Sequence, residues 1–213
     1  MQISITILEN SKQIQETMLR TLLPQVSSFM HKVITTIKKE LPEIVQEVIF
    51  NSPEYTSILG GDLKYQFGLP DSASKLNGLI NIWTNNINIE YVKPSISNGQ
   101  IKSKFSASMI RADYSDVLGT DYAKMNDTQR GYSLPWLQWL LLDGNQILIE
   151  ESVIVLGPNP NSRTGFAVMK PSRTGSWRVP SEFAGTIQDN WLTRAVNDAS
   201  PKINNLLNRA LTI

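Results

Sequence analysis

Residues 10 to 50 read NSKQIQETMLRTLLPQVSSFMHKVITTIKKELPEIVQEVIF. Apolar side chains recur at Ile14, Met18, Leu22, Val26, Phe29, Val33, Ile37, Leu41, Ile44 and Val48, the three-and-four spacing that lines one face of a helix. Asn10 followed by Gln13 has the form of a capping box, in which each side chain satisfies a free backbone amide of the other residue. Pro24 and Pro42 lack an amide proton and crowd the preceding turn, so two or three helical pieces are expected here and not a single rod.

Outward from this block the pattern changes. Ile3, Ile5 and Ile7 alternate with Gln2, Ser4 and Thr6, which reads as a strand over the first eight residues. After the turn signal Asn51-Ser52-Pro53, the glycines at 60, 61 and 68 and Pro70 mark a loop-rich passage. Ile87, Ile89 and Tyr91, then Ile101, Phe105 and Met109, alternate with polar residues on either side of Pro94-Ser95-Ile96-Ser97-Asn98-Gly99. Two antiparallel strands joined by a loop with an Asn-Gly turn fit that spacing, with Lys102 and Lys104 pointing away from the face that holds Phe105. The apolar run from Leu134 to Leu142 reads as a short buried helix, with Trp136 and Trp139 in the core, and Gln146 to Leu156 as a strand. Near the C-terminal end, Ile187, Trp191, Ala195, Ile203, Leu206, Leu207 and Ala210 form an amphipathic pattern. Thr186 is its expected N-cap and Ser200-Pro201 its expected division into two helices. The chain is therefore expected to be one α+β domain over residues 1–213. It would have kinked N-terminal helices at about 10–50, a central antiparallel β-sheet at about 84–180 and C-terminal helices at about 186–211.

Composition narrows the function. Twenty basic residues against 19 acidic ones leave a formal charge of +1, so no global field draws the chain to nucleic acid or an anionic membrane. The sequence has no cysteine and a single histidine, His31, which removes thiol chemistry and makes a zinc site improbable. No run approaches the roughly 18 apolar residues that span a membrane, and the first residues lack the form of a secretory signal. A protein made in the cytosol, without membrane partner or cofactor, is expected. Ser72 and Lys75 share the spacing of a serine-lysine pair, but the motifs that accompany it elsewhere are missing. Glu150 and Glu151 are adjacent, and on a strand adjacent side chains point to opposite faces. No catalytic constellation results.

The most distinctive segment is SRTGFAVMKPSRTGSWRVP, residues 162 to 180, in which Ser-Arg-Thr-Gly occurs twice. Arg163, Lys170, Arg173 and Arg178 meet no acidic residue within it, and Phe166 and Trp177 stand among them. These six residues form the candidate interface: arginine forks bind carboxylates of a neighbouring subunit, and aromatic residues are enriched at interfaces. The acidic candidates for the opposite patch are Glu40, Glu43 and Glu47. The same loop, residues 162–178, is also the basis of a competing reading as a nucleic-acid-binding module, with cations on phosphates and rings stacked on bases.

The runs Tyr132 to Gly144, Ser162 to Gly165, Trp177 to Thr186 and Asp189 to Ala195 resemble virion structural proteins of tailed bacteriophages, in the tail-completion or head-tail joining class of the neck. The stretch from Ser52-Pro-Glu-Tyr55 to Gly68-Leu69 fits the same picture. The resemblance covers somewhat over half of the chain and carries no catalytic residue. It implies a non-enzymatic subunit of a homo-oligomeric ring between head and tail, in contact with neighbouring neck, portal or tail proteins. Non-specific contact with DNA in the channel follows from that position. It also implies a location in the virion after synthesis in the bacterial cytoplasm. The chain departs from shorter members of the class in its additional residues between Ser106 and Ser133 and in the repeated SRTG.

Overall fold

The computed structural model describes residues 10–109, 113–127 and 131–212; the strand expected over the first eight residues lies outside them. The architecture is α+β: a long N-terminal helix, three antiparallel hairpins in the centre and a C-terminal helix laid against the first one.

Helix α1 runs unbroken from Ser11–Phe50, with Pro24 and Pro42 inside it. The expected division does not occur. Each proline forfeits one helical hydrogen bond, but packing on both sides of Pro42 holds the helix in register: Val33, Ile34, Ile37 and Leu41 before it and Val45, Val48 and Ile49 after it are all buried. The capping box is present, Asn10 Oδ1 accepting from Gln13 N and Gln13 Oε1 from Asn10 N, both at 2.9 Å.

The passage expected to be loop-rich is helical. Ser52 is an N-cap with Pro53 in the first turn of α2 (Pro53–Gly60), and α3 (Asp62–Gln66) and α4 (Ser72–Asn85) follow. Helix α4 buries Leu76, Leu79, Ile80 and Trp83 in the hydrophobic core.

Strands β1 (Asn88–Ser97) and β2 (Gln100–Ser108) pair as expected, and the turn residues Asn98 and Gly99 both take positive φ, 50° and 71°, the geometry of the two-residue hairpin turn. Strand β1 continues through Pro94 to Ser97, with a bulge between Val92 and Ser95. This hairpin packs along α1, and Gln15 Nε2 donates to Gly99 O at its tip at 3.1 Å. After α5 (Ser115–Leu118) come β3 (Met125–Asp127) and β4 (Tyr132–Leu134), which form a second, short hairpin. The buried helix is α6 (Trp136–Leu141); the third hairpin is β5 (Ile149–Leu156) with β6 (Ala167–Trp177). The three hairpins do not join into the one central sheet expected from sequence. Bulges in β1 and at Glu150/Ser152 bend their strands, and a bulge raises local twist and disrupts the ladder.

Helix α7 is likewise single, Trp191–Leu211 with Pro201 inside, and its N-cap is Asn190, not Thr186. Asn190 Oδ1 accepts from Leu192 N and Thr193 N, and its amide donates to Tyr114 Oη at 2.7 Å. Thr186 instead closes the preceding turn, accepting from Asp189 N at 3.2 Å. Trp191 lies edge-on to Trp83 with centroids 5.1 Å apart and donates to Ser52 Oγ at 2.7 Å, so α2, α4 and α7 meet at one buried point.

Candidate functional site

The repeated tetrapeptide adopts two unrelated conformations. The first copy, Ser162 to Gly165, forms the turn that closes the β5–β6 connection: Ser162 Oγ accepts from Thr164 N and Ala167 N, and Gly165 takes φ +78°. The hairpin ladder continues into this connection through Gly157 N to Phe166 O at 2.7 Å and Asn159 N to Gly165 O at 3.0 Å. The second copy, Ser172 to Gly175, lies within β6. Because Pro171 pairs with Ser152 and Ser176 with Glu150, these four residues bulge out opposite Glu151 alone, whose φ is +51°. A Cβ on Gly175 would stand 2.9 Å from Ser172 Cβ and closer still to Val153 Cγ1, so the bulge requires glycine by space where the first copy requires it by backbone angle.

The six candidate residues divide accordingly. Lys170, Arg173 and Arg178 are exposed and enter no ion pair among the described residues. Phe166 is 38% exposed and leans on Tyr65, centroids 4.9 Å apart. Arg163 is turned onto its own chain: Nη1 approaches Met125 Sδ at 2.8 Å and Nη2 donates to Tyr132 Oη at 3.3 Å, so it braces the loop against β3–β4. Trp177 is a correction. It is buried, edge-on to Phe67 and Trp139, with Nε1 donating to Gln66 Oε1 at 3.3 Å. An indole offers more apolar area than any other side chain, and here that area completes the core.

Between this hairpin, α3 and β3–β4 lies an open cleft of about 800 Å³, lined by Tyr65, Tyr132, Asn126, Asn159, Asn161 and Arg163 among others. Sequence reasoning missed Tyr65 and Tyr132, which come to the loop from distant segments; the run Pro158-Asn159-Pro160-Asn161 beside the first SRTG was the available signal.

The acidic residues assigned to the opposite patch are engaged elsewhere. Glu40 pairs with Arg209 and Glu47 with Lys202 at 2.8 Å, clipping α7 to α1, while Glu43 is exposed. Ser72 and Lys75 are both buried in structural contacts, Ser72 Oγ donating to Leu59 O at 3.2 Å and Lys75 Nζ to Asp121 O at 3.2 Å. Among the described residues no cluster of three potential metal ligands occurs, and no helix is long and apolar enough to cross a membrane. No protein-family model, no curated protein and no solved structure matches the chain.

Proposed function

We propose that this chain is a non-enzymatic structural subunit of a bacteriophage neck or tail, a member of a ring that joins head and tail around the DNA channel. The observation that carries the reading is the β5–β6 hairpin, which with the residue after it displays Lys170, Arg173 and Arg178 without acidic partners among the described residues, while its loop is braced by Arg163 and by the Tyr65–Phe166 contact. A braced loop loses little freedom on binding, so more of its contact energy appears as affinity. A closed ring needs such a patch to meet a different patch on the next subunit. Since Glu40 and Glu47 serve the fold, that second patch lies on other carboxylates of the next copy or of a neighbouring neck, portal or tail protein.

The test is the triple charge reversal Lys170→Glu, Arg173→Glu, Arg178→Glu, which leaves the bracing residues intact. Incorporation of the subunit into particles of the encoding phage is expected to fall at least about tenfold, the effect of losing ~1.4 kcal/mol of contact energy, with the melting temperature unchanged. Normal incorporation, or electron micrographs with the labelled subunit away from the head–tail joint, overturns the proposal. The half-exposed Phe166 ring in the same hairpin as Lys170 and Arg173 supports a second reading, direct contact with DNA. That reading requires DNA binding by the purified chain that weakens steeply between low and physiological salt and is lost in the same variant.

A further inference from the structure

The β5–β6 hairpin has two unpaired edges among the described residues, and they differ in chemistry. The β6 edge carries Lys170, Pro171 and the bulge at residues 172–175 with Arg173. A lysine, a proline and a bulge are each devices that keep an edge from pairing. Four consecutive β6 residues, Ala167 to Lys170, line the cleft, together with Ile149 and Ile154 of β5. From Ser152 to Leu156, β5 reads Ser-Val-Ile-Val-Leu, with no charge, proline or bulge. A continuous apolar run of this kind belongs to strands covered on both faces. Yet Val155 and Leu156 are 40% and 44% exposed.

The remaining described strands are blunted as well. Strand β1 has Lys93, Pro94 and a bulge, β2 has Lys102 and Lys104, and β3 and β4 are three residues each. Among the described strands the matching open edge is therefore β5 of a second copy.

We infer that two copies of the chain pair antiparallel through β5 about a two-fold axis at Ile154, making a four-stranded sheet across the dimer. Val153 then faces Val155 of the second copy and Ser152 faces Leu156, along an edge of about 17 Å. Glu150 and Glu151 fall opposite Pro158 and Gly157, where no like charge stands. Moving the axis to Val153 would set Glu151 against Val155, and moving it to Val155 would bring Pro158, which has no amide, against Ser152; Ile154 is the centre that avoids both. The inference does not rest on the neck reading: an isologous pair has no polarity, so it describes the free protein and not its place in a head–tail joint.

The natural absence of cysteine makes single cysteines clean reporters. Under mild oxidation Ile154→Cys is expected to convert to a disulfide-linked dimer, while Arg173→Cys on the β6 edge stays monomeric. In sedimentation the parent chain is expected to be a dimer, and Ile154→Lys, which sets two like charges opposite each other, to raise the dissociation constant at least about tenfold. A parent chain that sediments as a monomer at every concentration, or equal cross-linking from positions 154 and 173, overturns the inference. Either result leaves the location of the subunit in the virion to its own test.

Discussion

Replacing Arg194 by alanine is expected to destabilise the fold by about 3–5 kcal/mol, the cost of leaving a buried carboxylate without its cation. The carboxylate is Glu54, whose side chain is 3% exposed. Arg194 Nε and Nη2 both donate to Glu54 Oε1, at 3.0 and 2.8 Å, Nη2 also to Phe183 O and Nη1 to Asp189 Oδ1. One guanidinium thus ties α2, the start of α7 and the segment before it. The double substitution Glu54→Leu with Arg194→Met is expected to recover most of the loss, because an apolar pair of similar volume incurs no charge desolvation. Arg209→Ala, which opens a surface pair with Glu40, is expected to cost less than about 1 kcal/mol. Chemical denaturation of the four proteins measures the order; an Arg194→Ala protein as stable as its parent would refute this account of Glu54.

What the sequence made legible followed local physics, and what it hid depended on distant partners. The repeat of apolar residues in 10–50 and the Asn98-Gly99 turn act within a few residues of themselves, and both were readable. Helices α2 and α3 were not, because eight and five residues carry too little periodicity and Ser52-Pro53 reads equally as a turn or as a helix start. Thr186 and Asn190 are both good caps by chemistry. The choice of Asn190 is decided by Tyr114, 76 residues earlier, whose hydroxyl receives its amide proton. At the candidate site, the exposure of Lys170, Arg173 and Arg178 followed from their charge. That Trp177 belongs to the core, and that Arg163 reaches Tyr132, required the fold to bring Gln66, Phe67 and β4 alongside. Pro42 of α1 shows the same limit in reverse, since a strong local rule yielded there to tertiary packing.

A second large effect lies where two glycines meet. Gly144 N donates to Gly185 O at 3.1 Å, and a Cβ on Gly144 would stand 2.6 Å from Gly185 N and 2.8 Å from Ala184 Cα. A Cβ on Gly185 would collide with Leu140 O and stand 2.7 Å from Leu141 O and 2.8 Å from Asn190 Cβ. Neither glycine has a positive φ, so the demand is for space alone: backbone lies on backbone, and no flexible side chain is there to swing away. Gly185→Ala is therefore expected to cost about 3 kcal/mol, at the upper end of the range for overpacking. For a chain of this length that lowers the melting temperature by roughly 6–12 °C. Gly60→Ala, at a helical position with nothing within 4 Å, is expected to be neutral or slightly stabilising, which separates a packing effect from a general intolerance of the substitution. The consequence reaches the candidate interface, because the segment that Gly185 seats against the end of α6 begins at Arg178, next to the buried Trp177 at the end of β6. If Gly185→Ala weakens particle incorporation at a temperature where the protein remains folded, the rigidity of that seat, and not the charge of Arg178 alone, sets the geometry in which the hairpin meets its partner.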